Sequence, residues 1–101
     1  MANYVLVYKG GRPAGGNPEA AMAAWGQWFG TLGAAVVDGG NPFGPSKTVG
    51  AGGATSDGAA SSLTGYSVLK ADNLAAAAAL AKGCPVLANG GTVEVYEAMK
   101  M

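Results

Sequence analysis

The sequence predicts an α+β fold, an antiparallel sheet with two helices laid on one of its faces. Three observations lead there. Strand-like runs open and close the chain and flank its centre; each half carries one segment with helical spacing and its own start and stop signals; and the first strand is apolar on both of its alternating faces.

The first strand is Tyr4 to Lys9, rich in β-branched and aromatic residues and ended by Gly10-Gly11. Tyr4, Leu6 and Tyr8 fall on one face and Val5 and Val7 on the other, so both sides of the sheet require cover. After a loop from Arg12 to Gly16, Asn17-Pro18-Glu19 reads as a helix start, with Asn as cap, Pro in the first turn and an acid at the positive dipole end. Met22, Trp25, Phe29 and Leu32 then recur at helical spacing, with Trp28 at the side of that stripe. Gly26 and Gly30 weaken the helix by roughly 1 kcal/mol each relative to Ala, which suggests close approach of another backbone. Gly33 ends the helix.

A short second strand, Ala34 to Asp38, leads into Gly39-Gly40-Asn41-Pro42-Phe43-Gly44-Pro45-Ser46-Lys47-Thr48. This stiff loop brings a carboxylate, a cation, hydroxyls and a ring within a dozen residues. Ser46 to Gly50 resumes extended structure, and Asp57-Gly58 reads as the turn of a hairpin-like extension. The third strand is Tyr66 to Lys70. Asp72 reads as the cap of a second, alanine-rich helix from Asn73 to Lys82, with Leu74, Ala77, Leu80 and Ala81 as its apolar face. Gly83 stops it and Pro85 prevents its resumption. Asn89-Gly90-Gly91 turns into the last strand, Thr92 to Glu97. The order is the βαββαβ, ferredoxin-like plan. Its two helices cover one face only, and packing two copies face to face covers the other, so a homodimer is expected.

The totals narrow the function. At 101 residues the chain is read as one domain, 1–101. Six cations (Lys9, Arg12, Lys47, Lys70, Lys82, Lys100) are balanced by six acids, so no basic patch forms and nucleic acid is not expected as a partner. The longest apolar run, Leu74 to Ala81, is far short of the ~20 residues of a membrane span. With no leader pattern at the start, a soluble cytoplasmic protein is expected. One cysteine, Cys84, rules out an intrachain disulfide. There is no histidine, which removes Ser-His-Asp and Cys-His catalysis and the commonest zinc sites. Neither metal nor cofactor is expected.

Two look-alike motifs fail. Gly39 to Thr48 resembles a phosphate-binding loop, but Ser46 stands where glycine is needed before the lysine, and Pro42 and Pro45 remove backbone donors. Gly50-Ala51-Gly52-Gly53-Ala54-Thr55 lacks the last glycine of a dinucleotide fingerprint and no long helix follows. Cys84, at a helix C-terminus, sits at the dipole end that raises a thiol pKa and reads as a buried, inert residue.

Val37-Asp38-Gly39-Gly40-Asn41-Pro42, Thr64-Gly65-Tyr66-Ser67-Val68, Ala71-Asp72-Asn73-Leu74, Gly83-Cys84-Pro85 and Gly90-Gly91-Thr92-Val93-Glu94-Val95 occur in this order. In this ordered set the chain resembles the YCII-related, DGPF-containing family of the dimeric α+β barrel superfamily. The resemblance implies a ferredoxin-like protomer, a dimer with facing sheets, and a pocket beside the sheet edge and first helix. Some members carry a histidine–aspartate pair proposed as catalytic, which cannot be carried over to a chain without histidine. The Asp-Gly-Pro-Phe signature is absent as written.

Three functions are open on this reading. The first is a homodimer binding a small organic molecule in a cleft between the first helix and the sheet. Trp25, Trp28, Asp38, Phe43, Ser46, Lys47 and Tyr66 are its candidate ligand-binding residues. The second is a cofactor-independent enzyme with Asp38 as acid or base, which the missing histidine disfavours. The third is a regulatory module whose loop meets a protein partner. Each candidate also has a structural role: Asp38 as a turn residue, Ser46 and Lys47 as solvated loop, the tryptophans as core or interface, Tyr66 as sheet packing.

Overall fold

The computed structural model describes residues 2–10 and 18–99. The expected Arg12–Gly16 loop and the Asn17 cap lie outside them. The elements are β1 (Ala2–Lys9), α1 (Pro18–Leu32), β2 (Val36–Asp38), β3 (Lys47–Val49), β4 (Thr55–Asp57), β5 (Leu63–Ala71), α2 (Leu74–Ala81), α3 (Pro85–Ala88) and β6 (Thr92–Ala98). The main sheet is antiparallel in the order β2-β5-β1-β6, and β3 and β4 form a separate two-stranded sheet. The architecture is α+β and ferredoxin-like, with a projecting hairpin between the second and third strands of the main sheet.

Strand alternation divides the sheet cleanly. Tyr4, Leu6 and Tyr8 are buried, and across the ladder they meet Leu69, Ser67 and Gly65 of β5. This face packs under the helices, where Trp28, Ala77, Ala81, Cys84 and Val86 complete the core. Val5, Val7, Tyr66 and Val68 occupy the opposite face, with Glu94 and Tyr96 of β6 beside them.

Several local expectations are corrected. The most deeply placed side chain of α1 is Trp28, 6% exposed, whereas Met22 at the head of the expected stripe is 74% exposed. The helix is rolled so that Trp28 faces the α2–α3 connection, where its indole Nε1 donates to Leu80 O (3.2 Å) at the end of α2. A Cβ on Gly83 would sit 3.1 Å from Trp28 Cδ1, so the ring occupies the space a side chain there would need. Gly26 and Gly30 face nothing within 4 Å and serve no close approach among the described residues.

The cap of α2 is Asn73, not Asp72. Its Oδ1 accepts from Ala76 N (2.8 Å), which satisfies one of the unpaired amides of the first turn. Leu74, counted on the apolar face, is half exposed. Pro85 ends no structure; it opens α3, since a first-turn residue needs no amide hydrogen. Asp57-Gly58 lies at the base of the β3–β4 hairpin, whose turn is made by Gly52 and Gly53 at φ +85 and +88.

Candidate functional site

The edge of the sheet carries the most specific backbone geometry. At Asp38 the β2–β5 ladder slips by one residue: Val36 pairs with Leu69, and Asp38 with the adjacent Val68. Asp38 Oδ1 accepts from Gly40 N (2.8 Å), closing a tight turn. Gly40, at φ +76, lies so close to β5 that a Cβ would be 1.7 Å from Tyr66 O. Beyond the turn the chain rejoins β5. Tyr66 N donates to Asn41 O (3.3 Å), Pro42 bridges Gly65, and Phe43 N donates to Thr64 O (2.9 Å). Residues 36–43 therefore behave as one edge strand broken by a two-glycine bulge.

A buried polar chain fixes this edge from the helix side. Tyr8 Oη donates to Ser67 Oγ (2.6 Å), and Ser67 Oγ donates to Gly39 O (2.7 Å). Ser67 has no exposed surface, so both groups need these partners. Burial pushes the Tyr8 phenol well above its usual range, an effect the Ser67 hydrogen bond opposes only in part. Burial likewise pushes the Cys84 thiol up to about 11.

The expected ligand residues fall into three places. Phe43 and Tyr66 are together: their rings stack with centroids 5.7 Å apart and planes at 19°, on the sheet face away from the helices. Asp38 lies on the same edge, its carboxylate exposed. Trp25 and Trp28 are on the other side of the sheet. Trp25 meets Tyr8 edge-on at 5.0 Å and Trp28 at 5.7 Å, so the space between α1 and the sheet is filled by aromatic packing. A single cleft holding the tryptophans with Phe43 and Tyr66 is thus excluded by the sheet between them. Trp28 instead lines an open groove of about 430 Å³ between α1 and α3, with Gln27, Thr31 and Pro85.

Ser46 and Lys47 are at the hairpin base. Ser46 O accepts from Gly58 N (2.8 Å), and Lys47 Nζ pairs with Asp57 Oδ1 at 2.7 Å. Both charged side chains are well exposed, and such a pair contributes ~0–1 kcal/mol. Among the described residues no three His, Cys, Asp or Glu side chains converge as metal ligands, and no helix is long and apolar enough to cross a membrane.

Sequence reasoning missed the Tyr8–Ser67–Gly39 chain. The available signal was a serine in the inward phase of a strand otherwise bearing Leu69 and Ala71, a position that demands a buried partner.

The ordered motifs, the β2-β5-β1-β6 sheet and the glycine-bulged edge agree with one further finding. The chain matches the YCII-related domain over residues 19–101. It belongs to the YCII-related family. No curated protein matches the chain.

Proposed function

We propose that this YCII-related protein is a cytoplasmic homodimer, formed by the helix-free faces of two sheets, that binds a small aromatic organic molecule at the Phe43–Tyr66 edge. The observation that carries this reading is the Phe43–Tyr66 stack at the rim of a sheet face holding Val5, Val7 and Val68. A flat apolar ring adds a further layer to such a stack, at roughly 0.5–1.5 kcal/mol beyond its buried area. The enclosure that a lone sheet edge lacks comes from the second copy.

Asp38 enters as an anchor for a donor group on the ligand. One of its oxygens accepts from Gly40 N, which fixes the orientation of the carboxylate. That arrangement orients an acceptor and supplies no proton relay, so binding is favoured over acid–base catalysis by Asp38.

Native mass spectrometry of gently purified protein tests both parts. The expected species is close to twice the 9.8 kDa chain with a small organic adduct. The adduct should disappear in Phe43→Ala/Tyr66→Ala, with the dimer kept. A monomer at micromolar concentration would refute the dimer, and an adduct that survives the double variant would refute the site.

A further inference from the structure

We propose that the β3–β4 hairpin is an arm that clasps the second copy of the chain, so that the interface extends beyond the sheet face. This rests on the dimer reading above. A two-stranded hairpin is marginal in water by itself and ordinarily needs a third strand or a packed face. Among the described residues β3 and β4 pair only with each other, and every side chain of both strands is exposed. The molecule is correspondingly a plate, 43 × 41 × 18 Å, rather than a ball.

The sheet face alone is a modest patch for the association. Four strands about 4.8 Å apart, some seven residues long at about 3.4 Å each, offer at most about 450 Å² in projection. A stable interface takes about 800 Å² from each partner. The hairpin is the adjoining surface that can make up the difference. It leaves the main sheet directly after Phe43, at the rim of that same face, so whatever covers the face lies beside its root.

Its chemistry suits contact with another chain. Val49 is 68% exposed, and Ala51, Gly52, Gly53 and Ala54 at the tip allow close backbone approach. Its only cation and only acid, Lys47 and Asp57, are paired with each other, leaving no net charge to desolvate. In a two-fold dimer each arm would hold the other copy, doubling the added area.

The test compares dissociation constants by sedimentation equilibrium for wild type, Val49→Asp, Val68→Asp and a chain lacking residues 47–57. Excision is feasible because Gly58 N already bonds to Ser46 O, so an Asn-Gly link closes the gap. Val49→Asp and the excised chain should keep the wild-type circular dichroism and weaken dimerisation by about tenfold or more. Hairpin amides of the wild type should gain hydrogen-exchange protection as concentration rises. Unchanged dimerisation in Val49→Asp and in the excised chain overturns the arm while leaving the sheet dimer standing. Loosening by Val49→Asp but not by Val68→Asp supports the arm and overturns the sheet face as the dimer surface. A monomeric wild type overturns both.

Discussion

Replacing Gly40 with alanine is the sharpest test of how the edge strand is held. The added Cβ would lie 1.7 Å from Tyr66 O and 2.6 Å from Tyr66 C, where 3.0 Å is already closer than real contacts allow. Both atoms belong to the backbone of β5, so no side-chain rotation relieves the clash. The loop must therefore withdraw by more than an ångström. That distance breaks the Ser67 Oγ bond to Gly39 O and the Tyr66 N bond to Asn41 O. Each loss costs ~1 kcal/mol, and more for the buried hydroxyl. Alanine at φ +76 adds ~1–2 kcal/mol. The sum is about 3–4 kcal/mol, a large fraction of the ~5–15 kcal/mol expected for a domain of this size. Urea denaturation followed by the fluorescence of Trp25 and Trp28 measures it. Gly44→Ala is the control, since nothing lies within 4 Å of that position, and it should be neutral within ~0.5 kcal/mol. If Gly40→Ala matches Gly44→Ala within ~1 kcal/mol, the pinned bulge is not what holds the edge.

Other outcomes follow from the same contacts. Ser67→Ala strands the buried Tyr8 hydroxyl and Gly39 O together and should cost ~2–3 kcal/mol in urea melts, whereas Tyr8→Phe leaves the Ser67–Gly39 bond intact and should cost only ~1 kcal/mol. Equal losses would show that the chain does not run in that order. Cys84, raised by burial to about 11 from 9.0, should react with iodoacetamide at pH 8 about a hundredfold more slowly than the urea-unfolded chain, and rates within tenfold would contradict its burial. Because Cys84 and Tyr8 keep their protons longer when folded than when unfolded, their contributions are complete below about pH 9. Stability should then fall as pH rises through 9 to 11, and a flat alkaline profile would contradict both.

What could be read from the chain depended on the range of the interaction. The strands followed from short-range alternation: Tyr4, Leu6 and Tyr8 against Val5 and Val7 announced both faces of β1 before any partner was known. The order of elements gave the ferredoxin-like plan because each helix carried its own punctuation. Rotation about a helix axis is a tertiary matter, and there the reading failed. Trp28 is drawn inward by Leu80 O, 52 residues away, which no local spacing encodes. Asp72 and Asn73 are chemically equivalent caps, and the choice turned on which residue reaches Ala76 N. The candidate site divided for a related reason. Sequence proximity to the glycine-rich loop gathered aromatic residues into one cleft, but a sheet separates Trp25 and Trp28 from Phe43 and Tyr66. Phe43 and Tyr66 meet on their own side of it, because the bulge at Gly39-Gly40 returns the chain to β5 in a register that brings the rings together.

The last strand has a consequence for solubility. β6 pairs with β1 along one side, and among the described residues no strand pairs with its other side. Alternate residues of this seven-residue strand thus turn unpaired amides and carbonyls to the free side, the geometry that templates addition of a foreign strand. The chain carries no net charge at pH 7, so molecules are not kept apart by bulk repulsion. Protection falls to Glu94 and Glu97, which project on opposite faces of β6 and place like charges against any second copy that adds edge to edge. Two carboxylates on seven residues are thus the charges that oppose open-ended growth of this plate along its edge.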